Sequence, residues 1–329
     1  MKKIYCFLAM LGMICFGMGC VPQNNPDRPS NQNGNENGGE NGGENGGENG
    51  GENGGENGGE EGPKVKTGAE NLVVYLSFDT DNLIEVGEGI TFKENKGQAA
   101  IQTGFIGKGW SNKSGNNATE AYSKFDVAAE NAFKKIENFS FSAWVYNIGA
   151  NPKGGLISLN GGRFGAPLYQ HHDFPAFIIY FDNSGTDSET GEKWQQVNGR
   201  FIFHDNMGLE QNLWLDTGAP ALAVYDEWFQ LAVTYEPAAQ VAHIYVNGEE
   251  IRELTFEPGI PFNNLVTQYC DALYIGAWST YVEGDSVQTW QNYWPGSIDE
   301  VRIFDRVLTP EEVLALYKEE LNLNLEQED

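Results

Sequence analysis

Asp and Glu number 47 against 20 Lys and Arg, so carboxylates are the commonest reactive groups of the chain. The chemistry that two of them could perform together is hydrolysis of a glycosidic bond. That reaction places the pair about 5 to 5.5 Å apart for retention, or about 6.5 to 9.5 Å apart for inversion. On a strand the recognisable form is an acid, a spacer and a second acid on one face. Asp299 and Glu300 are adjacent, so strand alternation predicts that they point oppositely. Asp187-Ser188-Glu189 reads as loop, and Glu249-Glu250 follows a turn signal and reads as solvated. The chain has no Gly-x-Ser-x-Gly elbow and no HExxH. Catalytic residues are therefore assigned to no position, and binding is the better reading.

Binding chemistry is carried by aromatic side chains in polar surroundings. Trp194, Trp214, Trp278, Trp290, Tyr281 and Tyr293 occur in or beside polar loops, where large rings are less easily explained as core. A flat ring stacks on the apolar face of a pyranose while neighbouring Asp, Asn or Gln side chains bond its hydroxyls. Trp278, Tyr281, Trp290 and Tyr293 fall in one segment and are expected to line such a site. His171 and His172, in YQHHDF, would point to opposite faces on a strand but could act together in a loop. With His204 and His243 distant, no zinc-ligand spacing stands behind them, and contact with sugar or water is the expected role. Cys270 has no histidine near it and reads as a buried small hydrophobe.

The elements that must position these residues are mostly strands. Leu72–Phe78 opens the folded part, and Phe139–Tyr146 alternates bulky with small residues at period two. Ala176–Phe181, Arg200–His204, Trp228–Tyr235, Val241–Val246, Leu273–Gly276 and Ser297–Phe304 repeat the theme. Asn247-Gly248 is the strongest hairpin signal, because both residues tolerate positive φ. Only the end predicts a helix. Thr309 precedes Pro310, with Glu312 three residues after the cap, and Val313, Leu316 and Tyr317 follow on one face. Many strands without alternating helices predict an all-β sandwich of two antiparallel sheets, with a short C-terminal helix outside it.

The N-terminal 20 residues read as an export signal. Lys2 and Lys3 precede an uncharged apolar run from Ile4 to Gly19, which as a helix spans roughly 24 Å, short for a transmembrane segment. Gly17-Met18-Gly19-Cys20 resembles a bacterial lipobox, with Gly17 where an aliphatic residue is usual. This implies lipidation of Cys20 and anchoring in the cell envelope. The outer membrane of a Bacteroidetes-like bacterium is the expected location, with the cell-surface and periplasmic faces both open.

Residues 21–68 read as a disordered tether, with six NGGE copies from Asn37 to Glu60. Its coil reach is roughly 35 to 40 Å. Residues 69–329 are left as the folded domain. The net charge of −27 argues against nucleic acid and against adhesion to anionic surfaces, but says little about neutral sugars.

Six ordered segments carry a resemblance. WFQLAVTYEPAAQVAHIYVNGEEI (Trp228–Ile251), LYIGAW (Leu273–Trp278) and WPGSIDEVRIFDRVLTPEEVLALY (Trp294–Tyr317) follow LVVYLSFDTDN (Leu72–Asn82), FIGKGW (Phe105–Trp110) and NFSFSAWVYN (Asn138–Asn147). Together they resemble the concanavalin A-like, laminin-G-like jelly roll of exported bacterial proteins. The resemblance implies a carbohydrate- or protein-binding module, with Trp110 in the core and, in many members, one structural calcium. Asp79 and Asp299 match positions for that ion, and Asp81 and Asn82 could add ligands. The plainer role for Asp79 and Asp299 is to accept turn amides. Asn160–Asp173, Asn183–Gly199 and Thr280–Tyr293 are longer than simple turns and are where a site is expected. A non-catalytic module that captures glycan is the expected function. A module that binds another envelope protein or builds surface structure is the alternative, with a glycoside hydrolase behind both.

Overall fold

The alternation of Phe139–Tyr146 places Phe139, Phe141, Ala143 and Val145 on one face, and all four lie in the main core. The opposite face of the same strand carries Ser140, Ser142 and Trp144, which are also buried, so this strand is covered on both sides. A computed structural model describes residues 65–148, 153–160, 175–186, 188–191, 193–204, 210–216, 226–236, 239–255, 264–265, 270–284 and 292–328. Cys20, the NGGE repeats, His171, His172 and Trp290 lie outside the described residues.

The strands in chain order begin with β1 (Leu72–Leu76), β2 (Ile90–Gly97), β3 (Ala99–Thr103), β4 (Lys108–Asn112), β5 (Ala121–Val127) and β6 (Phe139–Tyr146). They continue with β7 (Gly154–Leu159), β8 (Phe177–Thr186), β9 (Lys193–His204), β10 (Glu210–Asp216) and β11 (Trp228–Glu236). The last are β12 (Val241–Val246), β13 (Glu249–Thr255), β14 (Asn264–Leu265), β15 (Ala272–Ile275) and β16 (Ser297–Phe304). Two helices are α1 (Ser279–Val282) and α2 (Pro310–Glu328).

Two eight-stranded sheets form from these elements. The first runs β13-β12-β11-β6-β16-β4-β3, and β1 also pairs with β16. The second runs β10-β9-β8-β7-β15-β5-β2, and β14 also pairs with β9. Ladders between named strands are antiparallel throughout, and sequence neighbours often sit in different sheets, as in a jelly roll. The inner faces meet in a core that includes Val74, Leu76, Phe125, Phe141, Phe181, Leu273 and Ile303. Trp294 closes one end of it, stacked on Phe181 with ring centroids 4.9 Å apart. Trp110 and Cys270 are buried in the same core.

The turn and cap signals appear where their chemistry requires them. Asn247 and Gly248 both have positive φ, 51° and 77°, between β12 and β13. Thr309 Oγ1 accepts from the Glu312 amide at 3.3 Å, and the Thr309 amide donates to Glu312 Oε2 at 2.9 Å, which closes a reciprocal cap at the start of α2. Val313 and Leu316 face the outer side of the first sheet, in a buried cluster with Ala232, Tyr245 and Phe304.

Two segments differ from the sequence reading. Asn183–Gly199 is mostly strand, not extended loop: β8 and β9 pair from Phe177↔Phe201 out to Thr186↔Lys193. Buried Gln195 and Val197 hold this arm to the body of the protein. Strand alternation is also interrupted at Asp299 and Glu300. The β16–β6 ladder shifts between Asp299 and Arg302, Glu300 takes a φ of 52°, and both carboxylates are buried.

Candidate functional site

The register of the second sheet gathers polar and aromatic residues on its outer face. Because side chains alternate, Phe125, Leu273, Ile157 and Ile179 point into the core and their neighbours point outward. Lys124, Tyr274, Ser158, Ile178 and Arg200 are successive Cα partners across β5, β15, β7, β8 and β9, and Trp214 of β10 continues the row opposite Arg200. Trp194 lies in β9 opposite Gly185. Trp194 and Trp214 are thus strand residues, although polar neighbours suggested loops.

The segment after β15 folds over this face. Gly276, with φ 82°, turns the chain where any β-carbon would meet the Trp110 ring at 2.1 Å. Trp278 then packs edge-on against Tyr180, centroids 4.5 Å apart, and is fully buried. Ser158 Oγ donates to Ser279 Oγ at 2.9 Å and accepts from the Ser279 amide at 3.1 Å, which fastens α1 to β7. Trp278 therefore supports the face from beneath α1 and does not display its ring.

Tyr281 in α1 and Tyr293 after it remain half-buried, and their rings meet at 5.5 Å. Tyr293 stacks parallel to Tyr122 at 6.3 Å, and Tyr122 meets Tyr274 edge-on at 5.7 Å. Four tyrosines thus form one continuous group across β5, β15 and α1. Burial pushes the Tyr293 phenol up to about 12 and raises those of Tyr122 and Tyr274, so all three are neutral at physiological pH.

Polar groups fix this arrangement from the side. Tyr274 donates to Glu283 Oε1 at 2.9 Å, and Asn160 Nδ2 donates to Glu283 Oε1 at 2.8 Å and to Asp271 Oδ1 at 2.6 Å. Asn160 Oδ1 accepts the Asp271 and Ala272 amides, each at 3.0 Å. Tyr122 and Tyr274 are buried and back the half-buried Tyr281 and Tyr293, which offer ring surface and hydroxyls, with carboxylates and an amide at the edge. That combination suits a polyhydroxylated neutral ligand. Tyr122 and Tyr274 were missed in the sequence: β5 was not read as a strand, and Leu273–Gly276 read only as alternating; the signal was a large ring at the outward step of each alternation.

The carboxylates expected near calcium serve the chain's own amides. Asp299 Oδ2 accepts from Phe105 and Ile106 at 2.8 and 2.9 Å, and Oδ1 accepts from Glu300 at 2.8 Å. Asp79 Oδ1 accepts from the Lys108 amide at 2.7 Å. Both acids therefore hold the Phe105–Lys108 turn, and Asp81 and Asn82 are exposed nearby in sequence. Among the described residues, the His, Cys, Asp and Glu side chains whose ligand atoms approach within 4.8 Å as a group of three are instead His243, Glu250 and Glu253, which could hold a divalent ion.

Comparison with known proteins places the chain in a family. The Laminin_G_3 model, described as the Concanavalin A-like lectin/glucanases superfamily, matches residues 117–314. No curated protein matches the chain. Solved structures with a similar fold include domain 4 of AbnA, an extracellular arabinanase from Geobacillus stearothermophilus in complex with arabinotriose. It is 20% identical, with 75% of this chain and 98% of that one covered and a TM-score of 0.43. The CBM40 of a Ruminococcus gnavus sialidase, bound to α2,3-sialyllactose, is 18% identical over 59% of this chain and 92% of that one, with a TM-score of 0.39. The receptor-binding domain of botulinum neurotoxin type G is 15% identical over 75% of this chain, at a TM-score of 0.42, and the chain spans about half, 51%, of that domain.

Proposed function

Because the chain belongs to the Concanavalin A-like lectin/glucanases superfamily, we propose that its folded part is a non-catalytic carbohydrate-binding module. The observation that carries this reading is the pair of half-buried rings Tyr281 and Tyr293, backed by buried Tyr122 and Tyr274, with Glu283 beside them, on the outer face of the second sheet. Ring surface stacks on a sugar, and the phenols and rim groups bond its hydroxyls. The site prefers a neutral glycan, since the chain carries a net charge of −27. Asp299 and Glu300, the buried acid pair, are engaged by backbone amides, Tyr75 and Arg302, which supports a structural and not a hydrolytic role for them. At Asp79 and Asp299, carboxylate oxygens fasten the Phe105–Lys108 turn.

We also propose that the module is a lipoprotein anchored through Cys20 in the outer membrane, with residues 21–68 as its tether. Each buried methylene of the lipid contributes about 0.8 kcal/mol, so two or three chains hold a protein durably. Radiolabelled fatty acid should enter the full chain and not a Cys20→Ala variant. The glycan reading is tested by applying the full chain to a glycan array, with Tyr293→Ala alongside. Selective binding of one family of neutral glycans, weakened in the variant, is expected. Silence across the array at millimolar sugar would remove the proposal.

A further inference from the structure

Strand β12 and strand β13 form one edge of the first sheet, away from the tyrosine group. His243 is the direct Cα partner of Glu253, and Tyr245 is the partner of Glu250. The spacing would normally separate these acids, because Glu250 and Glu253 are three residues apart and regular alternation sends them to opposite faces. The ladder shifts between Ile244 and Tyr245, and this irregularity restores a common face. His243 and Tyr245 are two residues apart on β12 and share a face, so their partners Glu253 and Glu250 share it too. The result is three side chains whose ligand atoms all lie within 4.8 Å of one another.

The histidine has an independent peculiarity. Its Nδ1 atom is buried and lies 3.2 Å from Glu250 Oε2, yet it makes no hydrogen bond of acceptable alignment. A buried ring nitrogen normally finds a partner. Here a ring nitrogen and two carboxylates converge, with no aligned hydrogen bond to the nitrogen. Glu250 and Glu253 are exposed, so both can rotate toward an ion and the site is open to water.

We propose that His243, Glu250 and Glu253 form a site for a divalent first-row transition metal, with Zn2+ the best fit. An imidazole and two carboxylates supply three of the four ligands of a tetrahedral ion, and an open fourth position takes water or a group from another molecule. With bonds near 2 Å, such an ion draws its ligand atoms about 3.3 Å apart, within the reach of two exposed glutamates. Ca2+ fits poorly, because it takes six to eight oxygens and this cluster supplies one nitrogen and two carboxylates. The inference is independent of the glycan reading, since no residue is shared.

Titration calorimetry of the full chain with ZnCl2, repeated in the presence of tenfold CaCl2, tests it. One equivalent of Zn2+ should bind per chain and resist Ca2+. Glu253→Gln should weaken binding at least tenfold and His243→Gln should abolish it, while His171→Ala/His172→Ala leaves it unchanged. Glu253 is exposed, so its variant keeps the fold and decides the matter even if His243→Gln melts early. Affinity that is unchanged in Glu253→Gln, that follows His171 and His172, or that Ca2+ removes would overturn the proposal.

Discussion

The indole N–H of Trp144, in β6, donates to Glu320 Oε2 of α2 at 2.7 Å, and both side chains are buried. The ring itself is held between Phe105 and Tyr317, at centroid distances of 3.4 and 5.7 Å. Gln230 Nε2 donates to the same carboxylate oxygen at 2.6 Å, and Arg302 pairs with the other. Arg302 also pairs with Glu300 and lies 4.1 Å from the Tyr75 ring, whose hydroxyl donates to Glu300 Oε2 at 2.9 Å. One glutamate thus joins α2 to β6, β11 and β16.

Removing that glutamate should cost more than removing a surface acid. Glu320→Ala leaves three buried donors short of an acceptor, and truncating one partner of a buried ion pair typically costs about 3 to 5 kcal/mol. Glu320→Gln keeps an acceptor for Trp144 and should cost less. Urea unfolding followed by tryptophan fluorescence measures both.

The same cluster sets a pH dependence. Burial raises the Glu320 carboxyl from 4.5 to about 7, and burial likewise raises Asp299 and Glu300. A raised folded-state value means that the native protein binds more protons than the unfolded chain between about 4.5 and about 7. The stabilisation is full below 4.5 and is lost as pH rises through about 7. Melting temperature should therefore fall from pH 5 to pH 8. Glu320→Gln should show a shallower fall, which separates this effect from general repulsion among the acids.

Gly276→Ala tests the close approach under the candidate site. The left-handed conformation costs an L residue about 1 to 2 kcal/mol. Overpacking against Trp110 adds about 1 to 3 kcal/mol. Gly191→Ala is the control: its φ of 74° is similar, but nothing lies within 4 Å of the added carbon. The difference in unfolding free energy between the two variants isolates the packing cost.

Thr309→Ala removes the hydroxyl that accepts from Glu312. The loss should be about 1 kcal/mol in thermal or urea unfolding. Thr309→Ser should restore most of it.

Tyr293→Ala should weaken binding of an array-identified glycan by about tenfold, or roughly 1.4 kcal/mol. Tyr293→Phe retains the ring and should lose less, which distinguishes stacking from hydroxyl bonding. Surface plasmon resonance on the immobilised full chain reads both.

Much of the scaffold was legible along the chain because its causes are local. Period-two alternation marks β6 and β12 to the residue, Asn247-Gly248 marks its turn, and Thr309-Pro310 marks the start of α2. Each depends on groups within a few positions of one another. The arm of β8 and β9 was less legible because Asn183, Ser184 and Asn198 are polar; those strands are specified by pairing with each other, which composition does not record.

The site divides along the same line. Local sequence singled out Trp278, Tyr281 and Tyr293 as one segment, but could not distinguish a ring that is buried from one that is presented. That distinction was made by contacts far along the chain: Tyr180 covers Trp278, whereas Tyr122, 171 residues before Tyr293, stacks on it. The bulge that brings Glu250 and Glu253 to the face of His243 likewise depends on how β13 registers against β12. Chain-local chemistry determined the strand periods, the turns and the helix cap. Tertiary structure decided which aromatic rings and carboxylates meet, because cross-strand register and burial arise only when distant segments pack.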